Sequence, residues 1–185
     1  MRSGYVALIG RPNAGKSTLF NAFIGQRLSI VTAKPQTTRG RILGIVTNNE
    51  DQIIFLDTPG LLQPSYKLHE SMEKQIEHAA READLALLIL DATKPKDRLP
   101  IVQHFLAKNR TPTLALLNKI DLLPEDQVDG LLSDLCKLYK IPKIIPLSAL
   151  MNKNLDTVFT QIKAHLPEGP QLYPEDMIAE QPERF

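Results

Sequence analysis

The stretch Gly10-Arg11-Pro12-Asn13-Ala14-Gly15-Lys16-Ser17 decides how this sequence folds. Its spacing, a glycine followed after four residues by Gly-Lys-Ser, is that of a phosphate-binding loop. The glycines let the chain curl until successive backbone N–H groups point inward at a helix N-terminus, which forms a nest for anions. The apolar run Tyr5 to Ile9 precedes the loop, and an amphipathic stretch over 16–25 follows it. This strand, loop and helix predict a phosphate site, in which Lys16 reaches the β- and γ-phosphates and the Ser17 hydroxyl ligates Mg²⁺.

The composition excludes several classes of protein. The chain has 185 residues, 43% of them hydrophobic, with 22 Lys and Arg against 21 Asp and Glu, which suits one compact domain with at most a short tail. Balanced charge argues against binding to nucleic acid or anionic lipid by bulk electrostatics alone. The single cysteine, Cys136, excludes an internal disulfide and a zinc finger, and its leucine-rich surroundings predict a buried core thiol. No apolar run approaches the ~18 residues of a membrane span and no signal peptide is evident, so the sequence predicts a cytoplasmic protein without an integral membrane segment.

Strands alternate with helices along the chain. Strand-like apolar runs lie at Tyr5–Ile9, Arg41–Thr47, Gln52–Asp57, Leu85–Leu90, Thr113–Leu117 and Ile144–Leu147, and helical periodicity lies at 16–25, Leu68–Ala80, Leu99–Ala107, Glu125–Tyr139 and Asn154–Leu166. The pattern predicts an α/β fold with a six-stranded, mostly parallel sheet, helices on both faces and one antiparallel edge strand from the hairpin 41–57. Ligands of such folds bind at the carboxyl ends of the strands. Residues 1–166 are predicted to form the domain, and the Pro-rich, acidic residues 167–185 a linker or tail.

A second motif, Asp57-Thr58-Pro59-Gly60, closes a buried strand. An acid at this point can hold Mg²⁺ through water, and the N–H of Gly60 can contact a γ-phosphate. Taken alone, Asp57 could instead cap a helix. The phosphate-binding loop upstream favours the magnesium site.

A third motif, Asn118-Lys119-Ile120-Asp121, follows another strand and predicts the base. An ionised Asp121 accepts hydrogen bonds from a ring N–H and an exocyclic amine, a donor pair that guanine has and adenine lacks. Lys119 would lay its aliphatic stem along the base plane, and Asn118 would tie this loop to the phosphate loop. Ser148-Ala149-Leu150 would add a backbone donor for the guanine O6, the alternative being an ordinary helix-capping serine.

The order of these motifs resembles the translation-factor-like GTPases. The five motifs are Gly10–Ser17, Thr38, Asp57–Gly60, Asn118–Asp121 and Ser148–Leu150. Within that class, Lys34-Pro35-Gln36-Thr37-Thr38-Arg39 and Asp57-Thr58-Pro59-Gly60-Leu61 resemble the Era family, bacterial GTPases of small-ribosomal-subunit assembly. The tRNA-modifying and Der-type GTPases share Asn-Ala-Gly-Lys-Ser and are the alternative.

The Era resemblance implies a Ras-like domain with two switch loops, at 28–41 and 58–67. Thr38 would ligate Mg²⁺ and contact the γ-phosphate only in the GTP state, with Thr37 as the adjacent alternative. Where small signalling GTPases place a water-orienting Gln, this chain has Leu61. In related GTPases an Asn at the position of Asn13 ligates K⁺, which would meet the phosphoryl charge. The alternative is that Asn13 only hydrogen-bonds within its loop.

The resemblance also implies a set of roles. The expected catalytic residues are Lys16, Thr38, Gly60 and Asn13, and the expected magnesium ligands are Ser17, Thr38 and Asp57. The expected nucleotide contacts are Asn13, Ala14, Gly15, Lys16, Ser17, Thr18, Asp57, Gly60, Asn118, Lys119, Asp121, Ser148, Ala149 and Leu150. The expected ligands are GTP and GDP. In full-length form the family acts in 30S subunit assembly and 16S rRNA maturation, through a KH domain that this sequence does not contain, and peripheral membrane association is left open. The rival functions are an ATP-dependent kinase or ATPase and a module that binds a nucleotide without hydrolysing it.

Overall fold

The computed structural model describes residues 1–26, 41–47, 50–61, 67–94 and 99–174. The elements are β1 (Arg2–Gly10), α1 (Lys16–Gln26), β2 (Arg41–Thr47), β3 (Asp51–Asp57), α2 (Lys67–Glu82), β4 (Leu85–Asp91), α3 (Leu99–Lys108), β5 (Thr113–Asn118), α4 (Glu125–Tyr139), β6 (Ile144–Pro146) and α5 (Leu155–His165). Every strand and helix expected from the sequence is present. A 3-10 helix at Ile120–Leu122 was not expected, because three residues show no periodicity.

The six strands form one sheet in the order β2-β3-β1-β4-β5-β6. All neighbouring pairs are parallel except β2 and β3, which form the antiparallel hairpin at one edge. β1 begins three residues before its apolar run, because Arg2 pairs with Asp51 and Gly4 with Ile53. The predicted fold class is therefore confirmed, and the carboxyl ends of the five parallel strands share one edge of the sheet.

Hydrophobic cores lie on both faces of the sheet. One contains side chains of α2, α3 and α4, and the other contains side chains of α1 and α5. In the second core the ring of Phe23 stacks on Phe55 with centroids 5.5 Å apart and meets the edge of Phe159 at 4.5 Å. Such aromatic pairs add about 0.5–1.5 kcal/mol each to the burial of their area. They hold α1 in place, and with it the end of the loop that connects β1 to α1.

Two features of the surface follow from the burial pattern. Cys136 is only partly buried, at the rim of the core formed with α2, α3 and α4, so the prediction of a buried core thiol is wrong. Its neighbour Leu135 takes the inward position on α4 instead.

None of the helices within the described ranges combines the length and apolarity needed to cross a membrane.

The segment after α5 packs against the amino ends of β1 and β3. The N–H of Ser3 donates to the carbonyl of Pro167 at 3.1 Å. Gln52, which is fully buried, accepts at its Oε1 from the N–H groups of Leu172 (2.9 Å) and Tyr173 (2.8 Å) and donates from Nε2 to the carbonyl of Tyr173 at 2.8 Å. Residues 167–173 are thus held at the sheet edge opposite the carboxyl ends of the strands.

Candidate nucleotide-binding site

The loop between β1 and α1 is a tight turn that requires glycine at two positions. The N–H of Ala14 donates to the carbonyl of Arg11 at 3.1 Å. Asn13 and Gly15 have left-handed backbones, with φ of 64° and 101°. A Cβ at Gly15 would collide with the side-chain amide of Asn118, and a Cβ at Gly10 would lie 2.8 Å from the carbonyl of Ile89. Close packing therefore requires both glycines of the motif.

Lys16 places its ammonium group inside this turn. Its Nζ donates to the carbonyls of Gly10 (3.1 Å) and Arg11 (3.3 Å). Burial lowers the pKa of Lys16, and the charge of the Asp57 carboxylate acts in the opposite direction. A cation held at a helix N-terminus beside backbone N–H groups is the arrangement that binds a polyphosphate.

The loop after β3 is fastened to the phosphate loop. The hydroxyl of Thr58 donates to the carbonyl of Leu8 at 2.5 Å, and the N–H of Leu61 donates to the carbonyl of Gly10 at 2.9 Å. A Cβ on Gly60 would approach the ring of Pro12 to 2.5 Å, so glycine is required there for packing, whatever its N–H contacts. Asp57 lies ten residues before α2 begins and does not cap that helix. The alternative reading of Asp57 is therefore wrong.

Asn118 connects two loops that come from distant parts of the chain. It is buried at the end of β5, where its Nδ2 donates to the carbonyl of Ala14 at 2.9 Å. Its Oδ1 accepts from the N–H of Ala149 at 3.0 Å. The expected link between the base loop and the phosphate loop is therefore present. Asp121 is exposed in the first turn of the 3-10 helix, on the solvent side of this link.

The loop after β6 is closed by Ser148. Its Oγ accepts from the N–H of Met151 at 3.1 Å, and Ser148 and Lys153 exchange backbone hydrogen bonds of 3.2 and 3.0 Å. Asn154 is the N-cap residue of α5, so Ser148 does not cap that helix. The N–H of Ala149 is thus already used in a bond to Asn118, and the next residue, Leu150, is 72% exposed.

The structure brings one acidic residue to the site that the sequence analysis missed. Asp91 ends β4, between the strands that end at Gly10 and Asn118. Its Oδ2 pairs with the Nζ of Lys119 at 2.7 Å. The sequence signal was available, because Asp91 closes a buried strand just as Asp57 does.

Several predicted residues lie outside the described part of the chain. They are Thr37, Thr38, the rest of Lys34–Arg39, and most of the two predicted switch loops. The residues that the structure does bring together are the phosphate loop, Asp57–Gly60, Asn118–Asp121 and Ser148–Leu150, all at the carboxyl ends of the strands. They form a connected site, in which Asn118 hydrogen-bonds both to the loop after β1 and to the loop after β6.

The comparisons with known proteins agree with this geometry. The family described as "50S ribosome-binding GTPase" matches residues 5–119, which include Gly10–Ser17, Asp57–Gly60 and the first two residues of Asn118–Asp121. The chain belongs to this GTPase family.

The similarity to known relatives extends beyond residue 119. The chain is 41% identical over 184 residues to GTPase Era of Ruminiclostridium cellulolyticum, covering 99% of this chain and 62% of the relative. It is 43% identical over 186 residues to GTPase Era of Clostridium botulinum, covering 100% of this chain and 62% of the relative. The resemblance to the Era family is thus confirmed, and the chain spans about three fifths of the length of the curated relatives it matches.

Two solved Era structures resemble this chain in fold. One is Era in complex with MgGDPNP and nucleotides 1506–1542 of 16S ribosomal RNA, with a TM-score of 0.79, 40% identity, and coverage of 98% of this chain and 63% of that one. The other is an Aquifex aeolicus Era variant bound to GDP·AlF₄⁻, with a TM-score of 0.78, 42% identity and the same coverages. The matches to these two structures cover nearly all of the chain.

Proposed function

We propose that this chain binds GTP and GDP with Mg²⁺ and hydrolyses GTP, as the nucleotide-binding part of an Era-type GTPase. The observation that carries the proposal is Asn118, which ties its own base loop to the phosphate loop at Ala14 and to the loop after β6 at Ala149 through two buried hydrogen bonds. The bond to Ala14 connects the loop that leads into Lys16 with the loop that contains Asp121. A phosphate cradle alone would suit many nucleotides, whereas Asp121 suits guanine.

The residues present fit a magnesium ion beside the phosphates. Ser17 is exposed at the start of α1 and Asp57 is half-buried at the end of β3, and both supply the oxygen donors that Mg²⁺ prefers. Thr38 is proposed as a further ligand from the resemblance alone. Bound there, the ion would neutralise charge on the β- and γ-phosphate oxygens.

The protein's own contribution to hydrolysis is electrostatic. Water attacks the γ-phosphorus in line, the bond from that phosphorus to the bridging oxygen breaks, and GDP leaves with the electron pair. Lys16 and the N–H of Gly60 are proposed to stabilise the charge that spreads over the phosphoryl oxygens. Leu61 is buried in the core and has no group that could accept a proton from the water. We therefore assign no general base.

A potassium ion near Asn13 is proposed as a further source of positive charge. Asn13 is exposed, and its left-handed backbone places it at the outer turn of the phosphate loop. If it ligates K⁺, wild-type turnover will be faster in KCl than in NaCl of equal ionic strength, and Asn13→Ala will remove that difference while GDP still binds. Equal rates in both salts for the wild type would contradict the proposal.

Calorimetry and phosphate release test the main proposal. The purified chain should bind GDP and a non-hydrolysable GTP analogue in the presence of Mg²⁺, and excess ATP should not displace labelled GDP. Single-turnover release of phosphate from GTP should then show hydrolysis. Displacement by ATP would favour a kinase or ATPase, and binding without phosphate release would favour a non-hydrolysing module.

The role of the full-length protein is proposed from the relatives. The solved Era complex contains a fragment of 16S ribosomal RNA, and its chain is longer than the matched part. We propose that the full-length protein acts in the cytoplasm in 30S subunit assembly and contacts RNA mainly through the region that lies beyond the match, with residues 167–185 as the connection. The net charge of +1 gives no electrostatic reason for binding to a membrane surface, so membrane association is left out of this proposal. RNA binding by the longer protein but not by residues 1–166 would support this division.

A further inference from the structure

Asp91 is an acidic residue of the site that faces the base loop. Its side chain is 8% exposed, and its Oδ2 lies 2.7 Å from the Nζ of Lys119, whose side chain is 29% exposed. In the sheet register Asp91 is the partner of Asn118, and the N–H of Ala92 donates to the carbonyl of Asn118 at 2.9 Å. The end of β4 therefore holds the backbone of the base loop and the tip of its lysine.

The Asp91 carboxylate is itself oriented by its neighbour. Its Oδ1 accepts from the N–H of Thr93 at 2.9 Å and from the Thr93 hydroxyl at 2.6 Å. These two bonds leave Oδ2 for Lys119. Burial opposes the charged form, but the hydrogen bonds from Lys119 and Thr93 outweigh it and lower the pKa of Asp91 below its ordinary value. The residue is therefore charged at neutral pH.

Holding the tip of a lysine restricts where its stem lies. A lysine side chain has four methylene groups and samples many rotamers when its ammonium group is not held. The Lys119 backbone is left-handed, with φ of 68°, and directly precedes the 3-10 helix that contains Asp121. With both ends held, the stem has few remaining conformations.

We propose that Asp91 is a positioning residue that holds Lys119 ready to pack its stem on the purine ring. This inference rests on the proposed function, because it concerns the same base site. Asp91 sets the affinity for the base through Lys119 and does not itself touch the nucleotide. It leaves the choice of purine unaffected, since that choice belongs to Asp121.

The test compares GDP with inosine diphosphate, which lacks the exocyclic amine from which Asp121 would accept a hydrogen bond. Calorimetry is run on the wild type, Asp91→Asn, Lys119→Met and the double variant. Asp91→Asn should weaken the binding of both nucleotides about tenfold, as expected for the loss of a charge-assisted contact. The ratio of the two affinities should not change, because the stem contacts a ring face common to both. The double variant should bind no more weakly than Lys119→Met alone.

Two further variants guard against a loss of folding. Asp84→Asn makes the same chemical change just before β4 begins, where Asp84 accepts from the N–H of Tyr5 at 2.8 Å, and should leave GDP affinity unchanged. Thr93→Val removes only an exposed hydroxyl, so it should fold and should weaken GDP binding about threefold unless Lys119 is already Met.

Three outcomes would overturn the inference while leaving the proposed function intact. They are wild-type affinity in Asp91→Asn, additive losses in the double variant, and a changed ratio of GDP to inosine diphosphate affinity. The last would mean that Asp91 acts by ordering the whole loop, Asp121 included. A wild-type chain that binds no guanine nucleotide would instead overturn the proposed function and this inference with it.

Discussion

Replacing Asn118 by alanine tests whether the site is one connected structure. The change removes the hydrogen bonds to the Ala14 carbonyl (2.9 Å) and from the Ala149 N–H (3.0 Å), and all three residues are buried. A buried polar group left without its partner costs about 1–3 kcal/mol, so we expect the free energy of unfolding of the nucleotide-free chain to fall by about 3 kcal/mol. Urea unfolding followed by circular dichroism measures this loss.

The same variant should also bind GDP more weakly. Binding must then order two loops that Asn118 holds together in the wild type, at a cost of about 2 kcal/mol, which corresponds to about thirtyfold in the dissociation constant. Calorimetry with GDP measures the affinity.

Asn109→Ala is the matched control for this experiment. The Nδ2 of Asn109 donates to the Thr111 carbonyl and to the Thr113 hydroxyl, both at 2.9 Å, so this residue too makes two side-chain hydrogen bonds, but before the amino end of β5. It should lower stability without changing GDP affinity. If both variants destabilise the chain equally and neither changes GDP affinity, the argument that Asn118 joins the phosphate and base subsites is refuted.

Two further variants test the base specificity and the segment after α5. Asp121→Asn should weaken GDP binding by about a hundredfold and improve binding of xanthosine diphosphate. The amide oxygen of Asn accepts from only one of the two guanine donors, whereas its NH₂ can donate to the xanthine oxygen. Retained GDP affinity in a calorimetric titration would contradict the assignment. Gln52→Ala removes the hydrogen bonds to Leu172 and Tyr173, so hydrogen exchange at those two amides should accelerate while GDP affinity stays constant. The matched Gln103→Ala loses one exposed bond to the Leu138 carbonyl and should change neither the exchange rates nor the GDP affinity. Unaltered protection in Gln52→Ala would show that other contacts hold the segment.

Much of the fold could be predicted because the elements are long and regular. β4 is an uninterrupted apolar run that needs both faces covered, and α4 was predicted with its observed limits because its apolar residues recur at helical spacing. The hairpin of β2 and β3 followed from a tight turn between two strand-like runs. Such features depend on residues that are close in sequence, so the sequence alone is enough to predict them.

The candidate site could be predicted only where one short motif contains the whole chemical unit. The phosphate loop is of this kind, because Gly10, Gly15 and Lys16 act within eight residues of one another. The motif sequences do not show which packing contacts require their glycines. Gly60 is required by the ring of Pro12, and Gly15 by the amide of Asn118, so each glycine depends on a residue from a distant motif.

The unpredicted contacts join residues far apart in sequence, which the parallel sheet and the packing of the segment after α5 bring together. Asp91 meets Lys119 across 28 positions, and Gln52 meets Tyr173 across 121. Neither pair has a periodicity or a spacing that a sequence pattern could reveal. Each nevertheless follows once the strand order is known, since β4 lies beside β5 at the carboxyl edge and the amino ends of β1 and β3 leave room for the chain that follows α5. An acidic residue that ends a buried parallel strand is therefore placed to pair with the loop of the neighbouring strand, as Asp91 pairs with Lys119.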